Sequence, residues 1–247
     1  MIRTRLFWIR GVLLAFLLAG CAGNQINPAQ LTADELYTQA MGFYEAGNLG
    51  RALPLMESFV QLHFGDPRAP DVRLELGKAY ERRRQYITAA SHYQRLVEDY
   101  PTSPHALTAR FGICHAYYRL SPPPQLDQNY TYSGIAHCES VATNYPNTEE
   151  AQKAAEYLEE MRNKLAQKLY DNGTFYMRRR AYDAAEVYLQ RVVENFPQTP
   201  FAPKAIASLI ETYERMGYVE AAEEQREKLL SEYPESPEAQ ELSASNS

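Results

Sequence analysis

An aromatic residue followed directly by proline recurs at four places in this chain. The four pairs are Tyr100-Pro101, Tyr145-Pro146, Phe196-Pro197 and Tyr233-Pro234. Each pair follows an amphipathic stretch, and a Ser, Thr or Asn comes shortly after it, which is the pattern of a helix end followed by a helix start. Self-similarity of this kind predicts an array of small helical units that bury their apolar faces against their neighbours.

The units resemble tetratricopeptide repeats, in which small residues let two helices approach and aromatic residues fill the space toward the next pair. The second unit carries the pattern at Leu76, Gly77, Tyr80, Tyr86, Ala89, Tyr93, Leu96 and Pro101. The resemblance implies an all-α fold, a right-handed superhelical solenoid of about five helix hairpins.

The pattern divides the chain into five segments. We expect a signal peptide at 1–20, a lipidated polar tether at 21–32, tetratricopeptide units 1–3 at 33–146, units 4–5 with a long connecting helix at 147–234, and a polar tail at 235–247 that frays. The tail has little apolar content to hold it on the repeats.

The third unit departs from the repeat pattern. Its helices are predicted at about 104–120 and 128–145, with a loop from Ser121 to Asp127 that cannot be helical because it contains three consecutive prolines. The following stretch, 149–181, has no proline and is strongly helical. It is either one helix of about 45 Å or a helix broken near Ala166.

The N-terminus has the features of a secretory signal. Arg3, Arg5 and Arg10 precede a short apolar run. The run ends in Leu-Ala-Gly before Cys21, which resembles a bacterial lipobox and implies acylation of Cys21; the alternative is an ordinary signal with a chance cysteine. Ala22 follows in place of the Asp that retains lipoproteins in the inner membrane, so the resemblance implies the outer membrane.

Charge disfavours a nucleic-acid partner. Residues 1–20 carry three arginines and no acidic residue, so their removal changes the formal charge from −6 to −9. An acidic chain repels a phosphate backbone. An acyl chain on Cys21 would instead hold the protein at a lipid surface.

Two Cys–His pairs in the third unit suggest a metal site. Cys114-His115 lies on its first helix and His137-Cys138 on its second. Adjacent helical residues point about 100° apart, so the four side chains are not expected to converge on zinc. A disulfide between Cys114 and Cys138 is a second possibility in an oxidising compartment. Two free buried thiols are the favoured interpretation.

The first helices of tetratricopeptide units line a concave groove. By position, the expected groove residues are Tyr37, Met41, Tyr44, Leu74, Lys78, Glu81, Arg82 and His115. Such a groove would suit an extended peptide with apolar residues and a free C-terminal carboxylate; a generic amphipathic surface is the alternative.

Two arginine triplets, Arg82 to Arg84 and Arg178 to Arg180, each end a first helix. The favoured interpretation is a solvated helix end that complements the helix dipole. The alternative is a clamp for an anion or a carboxylate of a partner.

Motifs of catalysis are absent from the sequence. It contains no G-x-S-x-G, no H-E-x-x-H and no phosphate-binding loop. We therefore expect a protein that is not an enzyme and that has neither a cofactor nor a metal.

The lipobox, the interrupted third unit, and two further segments together resemble one family. The segments are Leu126-Asp127-Gln128-Asn129-Tyr130-Thr131, and Tyr145-Pro146-Asn147-Thr148 with the long helix through Arg162, Leu165 and Ala166. They resemble the BamD family of outer-membrane lipoproteins in the β-barrel assembly machine.

This resemblance implies a scaffold on the periplasmic face of the outer membrane. Its partners would be the barrel-forming subunit BamA, other machine subunits and the C-terminal signals of unfolded outer-membrane proteins. The groove from Tyr37 to Arg82 would meet these substrates. The surface of Tyr170, Arg178, Arg179 and Arg180, with the helices to Leu230, would meet the barrel-forming subunit.

Three other classes are less consistent with the sequence. Periplasmic scaffolds that coordinate cell-envelope proteins, the main alternative, usually carry a coiled coil before the repeats, and no heptads lie between Cys21 and Asp34. A lytic transglycosylase would need a further catalytic domain. Nutrient-binding lipoproteins tend to be larger and richer in Trp than this chain, whose one Trp lies in the signal.

Overall fold

The computed structural model describes residues 27–245, and this range is built from helices without strands. A turn of 3-10 helix covers Pro28–Gln30. The α-helices of the described range are α1 (Ala33–Glu45), α2 (Leu49–Leu62), α3 (Ala69–Arg82), α4 (Tyr86–Asp99), α5 (Ala106–Leu120), α6 (Asn129–Asn144), α7 (Glu149–Arg178), α8 (Tyr182–Asn195), α9 (Phe201–Met216), α10 (Val219–Glu232) and α11 (Pro237–Ser245). The predicted all-α class is confirmed for these residues.

Contacts divide the chain into two compact units, and the division falls between Val72 and Arg73 in α3. The sequence-based division after residue 146 lies inside the second unit. The reason is that α7 packs on α5 and α6 before it and on α8 and α9 after it.

The first unit contains the hairpin of α1 and α2. Thr32 caps α1: its hydroxyl accepts the backbone N–H of Glu35, and the Glu35 carboxylate accepts the backbone N–H of Thr32. This reciprocal pair satisfies two donors at the helix end. Phe59 of α2 is fully buried, with its ring 5.6 Å from that of Tyr37.

The tether predicted at 21–32 is partly structured. Pro28–Gln30 form the 3-10 turn and contact α2. Asn27 caps this turn by accepting the backbone N–H of Ala29. The end of the predicted tether thus forms a local turn, since a capped turn with proline at its start needs few apolar contacts to form.

The second unit repeats the hairpin. Each helix from α4 to α10 packs on the next one along the chain, and the first helices α5, α7 and α9 also pack side by side. Buried apolar side chains fill the spaces between them, including Leu96, Met161, Leu189 and Leu209. The predicted loop of the third unit is confirmed, since α5 ends at Leu120 and α6 begins at Asn129.

The aromatic residue of each aromatic–proline pair ends a helix, as predicted. Tyr100, Tyr145, Phe196 and Tyr233 are C-caps with φ between −130° and −136°, and each donates its backbone N–H to the carbonyl four residues earlier. Proline disfavours helical backbone in the residue before it, which explains the repeated end point.

Four of the hairpins in the described range use left-handed backbone in the turn between their helices. Gly47 and Gly217 have φ of 73° and 79°, and Arg84 and Arg180 have φ of 58° and 60°. Glycine is the usual residue in this conformation because it has no Cβ. Two hairpins thus place an arginine where two others place a glycine.

Helix α7 is continuous over 30 residues. Thr148 caps its start by accepting the backbone N–H of Ala151. Ala166, where a break was the alternative, is fully buried inside the helix. Of the two alternatives, the structure therefore has the continuous helix, which ends at Arg178.

The expectation of a frayed tail is wrong for residues 237–245, which form α11. Ala239 is buried, Leu242 packs on the core of the second unit, and α11 contacts both α9 and α10. The Ser236 hydroxyl accepts the backbone N–H of Ala239 at the start of the helix. Two apolar side chains three residues apart are enough to hold this short helix.

Candidate protein-docking surfaces

Three of the predicted groove residues lie on one face of α1 in the first unit. Tyr37, Met41 and Tyr44 are half-buried and spaced by four and three residues, which places them on one side of the helix. The guanidinium of Arg68 lies 4.5 Å from the centre of the Tyr37 ring. Arg68 also pairs with Asp66, and this hydrogen-bonded partner lowers the pKa of the Asp66 carboxyl to about 2.

The groove residues predicted on α3 have different surroundings. Leu74 is buried in the core of the second unit and is not available to a peptide, so its assignment to the groove is wrong. Its side chain faces α4 and α5, whose small and apolar residues enclose it. Lys78 is half-buried, with Nζ 2.7 Å from the Glu75 carboxylate, and Arg82 is exposed at the helix end.

His115 is placed by an acidic partner. Its Nδ1 lies 2.9 Å from Oε1 of Glu81, while the hydroxyl of Tyr93 donates to Oε2 of the same carboxylate. Glu81 is on α3, Tyr93 on α4 and His115 on α5, so one carboxylate links three helices. All three side chains are at least partly buried, which strengthens such hydrogen bonds.

A row of aromatic rings continues from His115 onto α7. The ring of Tyr157 stacks on Tyr118 at 4.1 Å, on Phe111 at 6.0 Å, and lies 5.8 Å from His115. The Tyr118 hydroxyl donates to Glu160 at 2.5 Å, and this bond is the largest cause that raises the pKa of Tyr118 to about 12. Offset ring pairs of this kind stabilise the fold beyond the contribution from burying their apolar surface.

The sequence analysis missed this aromatic row. Phe111, His115 and Tyr118 are spaced by four and three residues, so a signal was present on α5. Tyr157 and Glu160 lie on another helix, and only the packing of α5 on α7 brings them there.

The predicted docking surface lies at the C-terminal half of α7. Tyr170 is half-buried, with its ring 5.8 Å from Phe201. Arg178, Arg179 and Arg180 are exposed, and the guanidinium of Arg179 lies 4.6 Å above the ring of Phe175. The arginines are therefore accessible, whereas Tyr170 mainly supports the core.

The two cysteines of the third unit form a disulfide between α5 and α6, with the Cα atoms of Cys114 and Cys138 4.8 Å apart. The favoured interpretation of two free thiols is therefore wrong; the hairpin brings the two helices close enough at this level. His137 stacks on Tyr117 at 5.2 Å, away from His115. No group of three or more His, Cys, Asp or Glu residues that could hold a metal occurs within residues 27–245.

Gln128 organises the loop between α5 and α6. It is buried, and its side-chain amide donates to the carbonyls of Pro123 and Leu126. Its carbonyl oxygen accepts the Thr131 hydroxyl. The Leu-Asp-Gln segment thus has a structural role, and it leaves the side chain of Leu126 exposed on the loop.

Cys21 and the signal peptide lie outside the described residues. In the range 27–245, no helix combines the length and the apolar character that crossing a bilayer requires.

Comparison with solved structures finds tetratricopeptide proteins. One is a tetratricopeptide repeat protein from Parabacteroides merdae, 15% identical, with a TM-score of 0.40, covering 81% of this chain and 79% of that one. Another is a thermophilic TPR protein from Thermus thermophilus, 19% identical, with a TM-score of 0.34, covering 87% of this chain and 98% of that one.

Curated relatives carry the name outer membrane protein assembly factor BamD. The protein from Caulobacter vibrioides is 27% identical over 87% of this chain and 72% of its own length. That from Xylella fastidiosa is 27% identical over 92% and 82%. That from Vibrio cholerae is 23% identical over 87% and 93%.

A family model described as YfiO, outer membrane lipoprotein, matches residues 29–229, which is most of the chain. This match and the named relatives confirm the family resemblance stated from the sequence. The chain belongs to the YfiO/BamD family of outer membrane lipoproteins.

Proposed function

We propose that this chain is a non-catalytic scaffold that takes part in the assembly of outer-membrane proteins by binding other polypeptides. The observation that carries the proposal is the family match over residues 29–229, together with relatives that are named as assembly factors. Stacked helix hairpins support it, since they present several faces to different partners at once.

The partners we propose are the barrel-forming subunit BamA, other subunits of the assembly machine, and the C-terminal signals of unfolded outer-membrane proteins. The exposed arginines Arg178, Arg179 and Arg180 favour the C-terminal half of α7 as the surface for a machine subunit. Arginine is well suited to an interface because its planar donors match carboxylates.

Substrate signals would meet the remaining groove residues, considered separately in each unit. On α1 these are Tyr37, Met41 and Tyr44, which offer partly exposed apolar and aromatic surface. On α3 and α5 they are Lys78, Arg82 and His115, which offer cationic and polar groups. The residues on α1 suit apolar side chains of a signal, and the cations on α3 suit a free carboxylate, so each surface is proposed by itself.

We further propose that Cys21 is acylated and holds the protein on the periplasmic face of the outer membrane. The family description as a lipoprotein supports this. Cys21→Ala should remove palmitate labelling and shift the protein from the membrane fraction to the soluble fraction. Unchanged labelling would overturn the anchor at this residue.

A pull-down of the full chain from detergent-solubilised outer membrane tests the function. Recovery of the barrel-forming subunit supports the proposal. Recovery of peptidoglycan-linked or division proteins in its place would support a scaffold that coordinates other envelope proteins.

The substrate site is tested with a labelled peptide that copies the C-terminus of an outer-membrane protein. Lys78→Glu combined with Arg82→Glu should weaken binding by about ten-fold or more, since it removes cations that face the carboxylate. Lys153→Glu is the matched control, because this exposed lysine of α7 changes the total charge elsewhere. Equal affinity for all three proteins would contradict the site.

A further inference from the structure

A cleft of about 370 Å³ opens between the C-terminal end of α7 and the middle of α9. Its lining is mainly polar, and three of its residues are arginines. The lining residues are Thr174, Met177, Arg178, Arg180, Tyr182, Ser208, Glu211 and Arg215.

The cleft is positively charged. Arg178, Arg180 and Arg215 contribute three positive charges, and Glu211 contributes one negative charge, which leaves an excess of two. Glu211 is 3.5 Å from Arg215. Within residues 27–245, neither Arg178 nor Arg180 has a carboxylate within ion-pair distance, so both guanidinium groups can receive an anion from outside the chain.

The backbone at Arg180 points to a use for its side chain. Its φ of 60° lies in the left-handed region, and the matching turn after α9 uses Gly217 with φ of 79°. An arginine is disfavoured there relative to glycine. Strained backbone that persists is concentrated at functional positions, and here the residue lines the charged cleft.

A second cavity of about 450 Å³ adjoins the cleft along α9, since Ser208 and Glu211 line both. It is bordered by Tyr170, Lys204 and Glu238. The two cavities together are the space that a short peptide segment would enter.

The acidic residues around the cavities decide between kinds of occupant. Glu211 and Glu238 would repel a uniformly anionic surface such as a bilayer of acidic lipid. A peptide can place one carboxylate on the arginines and a neutral or basic residue beside the glutamates. The distribution of charge therefore favours a polypeptide segment.

We propose that this cleft binds an acidic segment of a partner polypeptide, with a side-chain carboxylate paired to Arg178 and Arg180. The inference rests on the proposed function and deepens it, because it names the chemistry of the segment that docks on the second unit. The guanidinium group of an arginine binds a carboxylate through two parallel hydrogen bonds. This geometry also fixes the orientation of the bound segment.

Fluorescence polarisation tests the proposal, with a short labelled peptide of alternating glutamate and leucine and a matched peptide of glutamine and leucine. The full chain should bind the glutamate peptide more tightly. Arg178→Ala with Arg180→Gly should weaken this binding by about ten-fold or more. Glycine suits the left-handed backbone at residue 180, so the variant should keep its helical circular dichroism.

Arg95→Ala is the matched control, since it removes an exposed arginine from α4, far along the chain from the cleft. Equal affinity for the two peptides, or equal loss in the control and the cleft variant, would overturn the proposal. Displacement of the peptide by millimolar inorganic phosphate supports an anion-binding cleft. Arginine-dependent binding to phosphatidylglycerol vesicles, without binding to the peptide, would overturn it in favour of lipid.

The pull-down separates failure of this inference from failure of the proposed function. If the wild-type chain recovers the barrel-forming subunit but does not distinguish the two peptides, only the cleft assignment fails. If the wild-type chain recovers no assembly subunit, the proposed function fails regardless of the peptide result.

Discussion

The ring of Tyr93 on α4 occupies the space that a Cβ on Gly77 of α3 would need, since a Cβ built there would overlap the edge of the ring. The other edge of the same ring lies 2.5 Å from the position of a Cβ on Gly112 of α5. One aromatic ring is thus enclosed by the backbones of two helices. This close packing explains why the repeat pattern has small residues at some positions and aromatic residues at others.

Gly77→Ala and Gly112→Ala should each destabilise the protein by about 1–3 kcal/mol, because the added methyl group must displace a fully enclosed ring. Gly42→Ala in α1 is the control, since no atom lies within 4 Å of its Cβ position. Alanine should stabilise that exposed helix by up to about 1 kcal/mol. Urea unfolding followed by circular dichroism measures all three, and a stabilised Gly77→Ala would contradict the packing of Tyr93.

The disulfide between Cys114 and Cys138 closes a chain segment with a sequence separation of 24. Reduction should lower the free energy of unfolding by about 3 kcal/mol, because the unfolded chain regains the conformational freedom that the cross-link removes. The urea midpoint of the wild-type chain should therefore fall in the presence of dithiothreitol.

Cys114→Ala with Cys138→Ala provides the control for this effect. Its midpoint should lie near that of the reduced wild-type chain and should not respond to dithiothreitol. A wild-type midpoint that is the same with and without reductant would show that the two thiols do not pair in solution.

The sequence predicted those features that depend on local chemistry. Tyr100 and Tyr145 end helices because the proline after each restricts its backbone, and the loop from Ser121 fails to be helical because of its prolines. Periodicity also predicted α7, although it could not decide whether Ala166 marks a break.

Features that depend on the angle and distance between helices could not be predicted. Glu81 and His115 are 34 residues apart, and Tyr118 and Glu160 are 42 apart. Leu74 illustrates the same limit, since its position on α3 is compatible with either the core or a groove until the packing of α4 and α5 is known. The cysteine pair was uncertain for the same reason.

Gln128→Ala should destabilise the protein by about 1–2 kcal/mol, because it removes a buried side chain that donates to the carbonyls of Pro123 and Leu126 and accepts the hydroxyl of the fully buried Thr131. The loop from Ser121 should also become sensitive to limited proteolysis. Gln125→Ala is the matched control, since this exposed neighbour in the same loop should tolerate the change. Equal cleavage of the two variants would show that Gln128 does not organise the loop.

Acidification should destabilise the protein through His92. Burial, followed by the charges of Arg73 and Arg95, lowers its pKa from 6.5 to about 4. Between these two values the unfolded chain binds a proton that the folded chain does not, so the free energy of unfolding falls as pH decreases from about 6.5 toward 4. The expected loss of unfolding free energy from His92 is about 1–2 kcal/mol between pH 7 and pH 5, since the ring is not completely buried.

Burial also lowers the pKa of His137, which adds to the loss of stability in the same direction. His92→Gln should flatten the dependence of the urea midpoint on pH in this window, and His92→Gln with His137→Gln should flatten it further. A midpoint that falls equally steeply in the wild-type chain and in both variants would assign the acid sensitivity to other groups.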